Sequence, residues 1–202
     1  MAKRAVVPIS YDYIAELDLP IVNEVRGEHL IRIHHSRFDP LWFGPDTTTP
    51  PSGRFNAPDH EYGICYSALS FDVAFAETFL QKADVMLLDI SDLSRRNVTV
   101  LRVKRKLRLV QLHGTGLKRL RLNAAIAHGE HARCRQLALA LWSHRARVDG
   151  IRYRSCRDND KYCIAVFDRA GDALVVESSE NLVADRARLA TTLGSYRVAL
   201  DQ

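Results

Sequence analysis

The segment that most constrains the fold is residues 70–81, SFDVAFAETFLQ, whose pattern is typical of a helix that is apolar almost all the way round. On a helical projection Phe71, Phe75 and Phe79 share one face, while Val73 lies nearly opposite. A helix with apolar residues on every side is normally buried. We therefore expect this helix to lie inside the core.

One carboxylate in this helix lacks a local explanation. Asp72 falls in the first turn, where Ser70 can cap the helix and a negative charge suits the helix dipole. Glu77 lies further along, and burying its charge costs several kcal/mol unless it is paired or hydrogen-bonded. It is expected either to face a cleft or to form a structural ion pair with an arginine, and the sequence alone weighs these alternatives about equally.

Length and composition favour one ordinary domain. The 202 residues can bury a substantial core, and the 47% apolar content excludes a disordered chain. No stretch approaches the ~20 apolar residues of a membrane span, and the start of the chain has too short an apolar segment for a secretory signal. These features predict a soluble cytoplasmic protein.

The cysteines and histidines do not predict a metal site. The four cysteines form no CxxC pair and lie mostly in apolar patterns, which favours buried reduced thiols: Cys65, Cys134, Cys156 and Cys163. His34 and His35 are adjacent in a predicted strand, so their side chains point to opposite faces.

The element pattern favours an α+β fold, with a mixed or antiparallel sheet and flanking helices. Residues 1–29 are expected to be a helical or irregular lead-in, and residues 30–202 the single domain. Strands are predicted at residues 30–34, 62–68, 85–90, 98–103, 107–112, 151–154, 162–167 and 173–177. A helix is predicted at residues 70–81. Two more helices follow strand 107–112, the second of them at about residues 131–145, and a last helix begins at about residue 181. The apolar segment 162–167 is expected to be a central strand, and residues 39–58 a long functional loop.

Positive charge is concentrated in residues 93–129, which hold ten Arg or Lys residues and no Asp or Glu. The rest of the chain is left with a net charge of about −5. A nucleic-acid surface would explain this segment, but it has no interleaved aromatics and no RNA-binding signature. A solvated face, or a docking surface for an acidic partner protein, is the simpler interpretation.

A sparse set of residues suits a ligand that carries both phosphates and rings. Arg32 and Arg54 can each donate two hydrogen bonds to phosphate oxygens. Gly53 can allow close approach of the backbone, and Tyr66 can stack on a cationic ring. Each of these residues also has an ordinary structural explanation. Together with Glu77 they are typical of a dinucleotide site.

Three stretches of the chain resemble one family. LIRIHH contains Arg32, SGRFNAPDHEYGICYSALSFDVAFAETF contains Arg54, Tyr66 and Glu77, and VDGIRYRSCRD contains Ser155. They occur in the order, and with the Tyr-to-Glu spacing of eleven, of the RES-domain proteins, which are named for an Arg, a Glu and a Ser. The resemblance covers about residues 30–168. The chain departs from the family in the arginines that flank Ser155, which predict a more basic pocket: Arg152, Arg154 and Arg157.

The resemblance implies a bacterial type II toxin with a fold related to ADP-ribosyltransferases. It implies that NAD is destroyed by phosphorolysis or hydrolysis, with NAD as substrate, inorganic phosphate as a candidate co-substrate and no other cofactor. It also implies that an Xre-type antitoxin protein neutralises the toxin. Within that complex, the toxin is further expected to form a homodimer. An antitoxin is expected to contact residues 93–129 or the mouth of the pocket, and charge reversal at Arg102, Arg105 and Arg108 would test the first placement.

Roles follow from the chemistry of NAD cleavage. Glu77 is expected to stabilise the oxocarbenium-like transition state. Arg32 is also expected to be a catalytic residue. Ser155 is expected to bind the ribose or a phosphate, since no Gly-x-Ser-x-Gly elbow marks it as a nucleophile. Arg157 is expected to bind an incoming phosphate.

Two other functions remain open from sequence. Protein ADP-ribosylation would use the same pocket, but transferases often carry a second carboxylate, and the candidate Asp72 lies about 140° from Glu77 around the helix. A nucleic-acid binder built on residues 93–129 would be indifferent to the loss of Glu77.

Overall fold

A computed structural model describes residues 10–24, 26–44, 50–82 and 84–201. The strands are β1 Ile21–Glu24, β2 His29–His35, β3 Ile64–Ala68, β4 Leu87–Asp89, β5 Arg96–Val103, β6 Leu107–Leu112, β7 Gly150–Arg154, β8 Tyr162–Phe167, β9 Leu174–Asn181 and β10 Ala199–Asp201. The α-helices are α1 Phe71–Phe79, α2 Ile90–Ser94, α3 Thr115–Arg119, α4 Ala125–His128, α5 His131–Ser143 and α6 Arg186–Tyr196. Two 3-10 helices span Asp12–Glu16 and Asp168–Ala173.

Eight strands form one mixed sheet in the order β1-β6-β7-β8-β3-β2-β5-β9. Its described pairs are antiparallel except β6 with β7. The α+β prediction is confirmed. Strand β8 lies inside the sheet between β7 and β3, and every residue after Tyr162 in it is buried, which confirms the predicted central strand.

The sheet is divided between β2 and β3. These strands share a single paired position, Ile31 with Ala68, whereas β2 pairs with β5 along its whole length from His29 to His35. Beyond Ile31 the two strands separate. The missing ladder opens a fork in the middle of the sheet.

Helix α1 lies across this fork and is buried on more than one side, as its sequence predicts. Val73 and Ala74 pack into a cluster with residues of β3, β7 and β8, and Phe75 packs into a second cluster with residues of β5 and α6. Full burial of a side chain such as Phe75 stabilises the fold by about 1.5–3 kcal/mol. The predicted cap is wrong, because the Ser70 side chain makes no capping hydrogen bond.

The beginning and end of the domain differ from the sequence prediction. Within the lead-in, Ile21–Glu24 is a strand rather than a helical or irregular segment, because it pairs with β6, and Ile14 is buried in the core. The strand predicted at 85–90 is shorter and pairs with β10 outside the large sheet. Strand β9 continues to Asn181 because it pairs with β5, so the last helix begins later, at Arg186.

The long loop predicted at 39–58 has no strand or helix at the positions that the structure describes, and residues 45–49 of it lie outside them. None of the described helices is both long and apolar enough to cross a lipid bilayer.

The basic segment 93–129 folds against acidic residues from elsewhere in the chain. Arg102 pairs with Glu177 at 3.1 Å, and Arg105 pairs with Asp172 at 3.1 Å and with Asp149 at 3.2 Å. Arg108 donates a hydrogen bond to the backbone oxygen of Ala146, and its own amide donates to Asp149. Three arginines of the segment therefore have binding partners inside this chain, and their charges do not require a partner molecule.

Candidate functional site

A cavity of about 510 Å³ occupies the fork between β2 and β3. Its walls come from those two strands, from α1, from the 52–54 loop and from the turn after β7. Five of the six predicted site residues line it: Arg32, Arg54, Tyr66, Glu77 and Arg157. Residues separated by more than a hundred positions in the sequence therefore meet in one cleft.

Glu77 faces this cleft from the last turn of α1. Its Oε1 accepts a hydrogen bond from the Ser155 hydroxyl at 2.6 Å and another from the Cys156 amide at 3.0 Å. Among the residues that the structure describes, no basic side chain forms an ion pair with it. Of the two alternatives left by the sequence, the cleft-facing carboxylate is the one observed.

Ser155 does not reach the cleft surface. It is 1% exposed, and its Oγ accepts hydrogen bonds from the amides of Arg157 and Asp158, both at 3.0 Å, while donating to Glu77. A hydroxyl offers one donor and two acceptor positions, so its capacity is full. The predicted contact of Ser155 with ribose or phosphate does not fit this geometry. Ser155 fixes the carboxylate of Glu77 instead.

Arg32 fills the gap where the sheet ladder is missing. Its Nη1 donates to the Tyr66 backbone oxygen at 2.9 Å and to the Cys65 sulfur at 3.4 Å. The residue is 8% exposed, and its Nε has no hydrogen-bond partner within the described chain. Arg32 forms no ion pair with any described residue, and a buried guanidinium without an ion pair is costly unless it meets an anion. Arg32 therefore combines a structural role in the fork with a positive charge at the cleft.

The loop that carries Arg54 is fastened to the start of α5. His131 Nδ1 lies 3.2 Å from the Ser52 backbone oxygen, and Arg135 Nε donates to the Gly53 oxygen at 3.1 Å. Arg54 Nη1 in turn donates to the Gly129 oxygen at 3.3 Å. These contacts hold Arg54 at the cleft wall, and in the described part of the chain they engage only the Nη1 group of its guanidinium.

Tyr66 is fixed through its hydroxyl. The oxygen accepts a hydrogen bond from the Phe55 amide at 2.8 Å and donates to Asn56 Oδ1 at 2.9 Å, and burial raises the pKa of the phenol. A Cβ on Gly53 would lie 2.2 Å from Asn56 Oδ1 and 2.7 Å from the Tyr66 hydroxyl. Gly53 is thus required by this internal contact rather than by approach to a ligand.

Two cleft histidines are held in the neutral form. Burial, and then the charge of Arg32, lower the pKa of His34, whose Nε2 lies 2.9 Å from the Thr99 hydroxyl. Burial, and then the charge of Arg54, lower the pKa of His131. Burial likewise raises the pKa of the Cys156 thiol, so this cleft cysteine is a poor nucleophile at neutral pH. Near pH 7, Glu77 and the arginines therefore supply the charge of the cleft.

Sequence reasoning missed several lining residues. Phe38 and Trp42 stand on the cleft wall in the segment after β2, and Tyr153 and Cys163 line it from β7 and β8. The signal for the first pair was an aromatic residue just before the predicted 39–58 loop, Phe38, and another inside it, Trp42, whereas Tyr153 and Cys163 have the pattern of ordinary strand residues.

Asp72 is not part of the cleft. Its Oδ1 accepts a hydrogen bond from the Thr192 hydroxyl at 2.5 Å, and the Tyr196 hydroxyl donates to its backbone oxygen at 3.3 Å. Asp72 therefore fastens α1 to α6, and α1 presents a single carboxylate to the cleft.

A more open groove of about 880 Å³ lies between the first 3-10 helix and α5. It shares no lining residue with the cleft, and its walls are mostly the exposed side of α5. It contains none of the predicted site residues.

Comparisons with known proteins agree with this architecture. The family model described as "RES domain" matches residues 29–187. "Probable toxin y4kH" of Sinorhizobium fredii (strain NBRC 101917 / NGR234) is 31% identical over 114 residues, which are 56% of this chain and 89% of that protein. A chain in the crystal structure of the M. tuberculosis MbcT-MbcA toxin-antitoxin complex superposes with a TM-score of 0.61 at 16% identity, covering 79% of this chain and 86% of that one. The likeness to that chain is one of fold. The matched family model spans most of the chain and every residue of the cleft described above, and the chain belongs to the RES-domain family.

Proposed function

We propose that this chain is the toxin of a bacterial type II toxin–antitoxin pair and that it degrades NAD by cleaving the bond between nicotinamide and ribose. The observation that carries the proposal is the Glu77 carboxylate, which is held in the cleft by two hydrogen bonds and forms no ion pair within the described chain. The toxin names of the relatives support the first part of the proposal.

Glu77 would act on the charge that develops during cleavage. As the glycosidic bond breaks, its electron pair moves to the nicotinamide nitrogen and positive charge grows on the ribose. A fixed carboxylate next to that ribose stabilises the transition state more than the ground state, as in glycosidases. Because Ser155 and the Cys156 amide already orient the carboxylate, no reorganisation is needed during the reaction.

The arginines would bind the diphosphate. Arg32, Arg54 and Arg157 all line the cleft, and no carboxylate lies within ion-pair distance of any of them in the described part of the chain. A dinucleotide brings two phosphate charges that such guanidiniums neutralise. The exposed Arg157 suits an incoming inorganic phosphate.

Two acceptors complete the reaction without a further cofactor. Attack of water on the ribose carbon gives ADP-ribose, nicotinamide and a proton. Attack by a phosphate oxygen gives ADP-ribose-1″-phosphate and nicotinamide. We place this chemistry in residues 30–202, in a cytoplasmic protein restrained by an Xre-type antitoxin, with a toxin homodimer in the complex.

The other two functions fit the structure less well. Protein ADP-ribosylation would gain from a second cleft carboxylate, and Asp72 is engaged with α6. Nucleic-acid binding would need free basic side chains in the 93–129 segment, and Arg102 and Arg105 are paired with acids of this chain.

Proton NMR of NAD incubated with the purified protein, with and without inorganic phosphate, tests the proposal. We expect nicotinamide to appear, with ADP-ribose-1″-phosphate as the second product if phosphate is the acceptor. Folded Glu77→Ala protein, free of antitoxin, is the matched control and should leave NAD intact. If the unsubstituted protein leaves NAD unchanged under both conditions, NAD degradation is excluded, and a labelled protein acceptor would point to ADP-ribosyl transfer.

A further inference from the structure

Two aromatic rings on the cleft wall are not part of the core. Phe38 and Trp42 stack with their ring centroids 4.5 Å apart and an interplanar angle of 12°. Both line the cleft and are partly exposed, and in the described chain neither belongs to any of the three apolar clusters. Large aromatic faces left at a cavity wall, rather than packed inside, are typical of ring-binding sites.

The segment that carries these rings is held in place by its backbone. The Phe38 amide donates to the His35 oxygen and the Trp42 amide to the Asp39 oxygen, both at 3.0 Å. Asp39 also accepts from the Leu41 amide at 2.8 Å. The rings are therefore ordered before a ligand arrives, which lowers the entropic cost of binding.

The charges around this ring pair are mostly positive. The Arg37 guanidinium lies 4.7 Å from the centroid of the Phe38 ring. Arg96 lines the cleft, and burial together with the charges of Arg37, Arg96 and Arg95 lowers the pKa of His35. The Asp39 carboxylate in the turn is the one acid in this segment. Such surroundings disfavour a cationic ring and favour a neutral ring that carries anionic phosphates.

Glu77, which lines the cleft from helix α1 rather than from the segment after β2, has the opposite preference. Its carboxylate favours a cationic ring or a developing cation, and within the described residues it is not neutralised by an ion pair. NAD has one cationic ring, the nicotinamide, and one neutral ring, the adenine, joined through the diphosphate. The charge distribution of the cleft therefore matches one orientation of the dinucleotide.

We infer that Phe38 and Trp42 form the adenine-binding wall of the cleft, so that NAD binds with its purine on Trp42 and its nicotinamide at Glu77. This inference rests on the proposed function. It assigns substrate specificity to two residues outside the Arg, Glu and Ser pattern. Trp42 is a binding residue in this arrangement and takes no part in bond cleavage.

Tryptophan fluorescence can test the inference directly, because the chain has two tryptophans. Trp142 stacks on Tyr62 at 5.3 Å outside the cleft, so Trp142→Phe leaves Trp42 as the sole reporter and keeps a ring in that stack. Adding Glu77→Gln slows turnover by about 10²–10³-fold, so that binding is measured before NAD is consumed. The full-length double variant is titrated with NAD, with ADP and with nicotinamide mononucleotide, while calorimetry measures each affinity independently.

We expect NAD and ADP to quench Trp42 and nicotinamide mononucleotide to bind without quenching it. Loss of a base-stacking side chain typically weakens binding about tenfold or more, so Trp42→Leu should weaken NAD and ADP by that factor and leave nicotinamide mononucleotide unchanged. Trp42→Phe, which keeps an aromatic face, should restore most of the affinity.

Unchanged NAD affinity in Trp42→Leu, or a loss confined to nicotinamide mononucleotide, would overturn the inference. NAD cleavage by the unsubstituted protein, measured in parallel, separates this failure from failure of the proposed function. If that protein neither binds nor cleaves NAD, both are overturned together.

Discussion

The cleft and the basic segment 93–129 are both rich in arginine, but the fold treats their charges differently. In the segment, Arg102 and Arg105 pair with carboxylates from distant parts of the chain. In the cleft, Glu77 is the one acidic residue among the described lining residues, and its carboxylate accepts hydrogen bonds from Ser155 and Cys156 instead. Arg102 and Arg105 are thus compensated within the chain, whereas Arg32 and Arg54 form no ion pair with any described residue. Arginine content alone does not distinguish the two regions.

The largest effect should come from the cleft carboxylate. Glu77→Gln keeps the shape of the side chain and removes its charge, so we expect NAD turnover to fall by about 10²–10³-fold, the usual range for a lost electrostatic contact to the transition state. Nicotinamide release under saturating NAD measures this, with circular dichroism to confirm the fold.

Asp72→Ala is the matched control on the same helix. It removes the acceptor of the buried Thr192 hydroxyl, so we expect a loss of stability of about 1–2 kcal/mol with unchanged turnover per folded molecule. If Asp72→Ala abolished turnover in folded protein while Glu77→Gln did not, Asp72 rather than Glu77 would be the carboxylate that acts in catalysis.

A smaller effect on turnover is expected at Ser155. Ser155→Ala removes one of the two hydrogen bonds to Glu77, a bond to a charged group, so kcat should fall by about 10- to 100-fold while KM changes little. The substitution also leaves the amides of Arg157 and Asp158 without their acceptor, so the melting temperature should fall. A rise in KM at constant kcat would indicate instead that Ser155 binds substrate directly.

In the basic segment the expected effect is on stability alone. Asp149 is nearly buried and accepts hydrogen bonds from the Arg105 side chain and the Arg108 amide. Asp149→Ala should lower the free energy of unfolding by about 2 kcal/mol, less than a fully buried pair because Arg105 is half exposed. Urea unfolding measures this loss. A fall in turnover beyond the loss of folded protein would mean that the two regions are coupled.

The last expected effect is on stability and depends on pH. Burial, followed by the charges of Arg152 and Arg154, lowers the pKa of His113 to about 4, so the folded state favours neutral His113. The unfolded chain binds the proton first, near pH 6.5. This contribution is therefore complete above about pH 6.5 and is lost as pH falls toward about 4. The melting temperature should depend less on pH across this window in His113→Asn than in the unsubstituted protein, and an unchanged pH dependence would contradict this assignment.

Much of the fold could be predicted because its signals are local. The burial of α1, the exceptional position of Glu77 and the central β8 each follow from a dozen residues or fewer. The fork is not local, since it depends on hydrogen bonds that are absent between two strands joined by a long loop. Ser155 and Glu77 are 78 positions apart, so the sequence could suggest that both matter but not that one holds the other.

Contacts between distant sequence positions also explain why the role of the basic segment could not be predicted. Arg105 and Asp172 are 67 positions apart, and a charge count along the sequence assigns them to different regions. The pairing of β5 with β9 brings Glu177 to Arg102, the β8–β9 connection brings Asp172 to Arg105, and the pairing of β6 with β7 brings Asp149 to Arg105. A local excess of charge in a sequence is therefore weak support for a partner surface.

The single paired position between β2 and β3 has a mechanical consequence. It divides the sheet into two parts, β1-β6-β7-β8-β3 and β2-β5-β9, which are joined by the Ile31–Ala68 pair and by the hydrogen bond from Arg32 to the Tyr66 oxygen. Helix α1 packs against both parts of the sheet and connects them. Because Glu77 lies on the helix that joins the two parts and Arg32 lies on β2, we predict that a change in the angle between the two parts would change the distance between the Glu77 carboxylate and the Arg32 guanidinium.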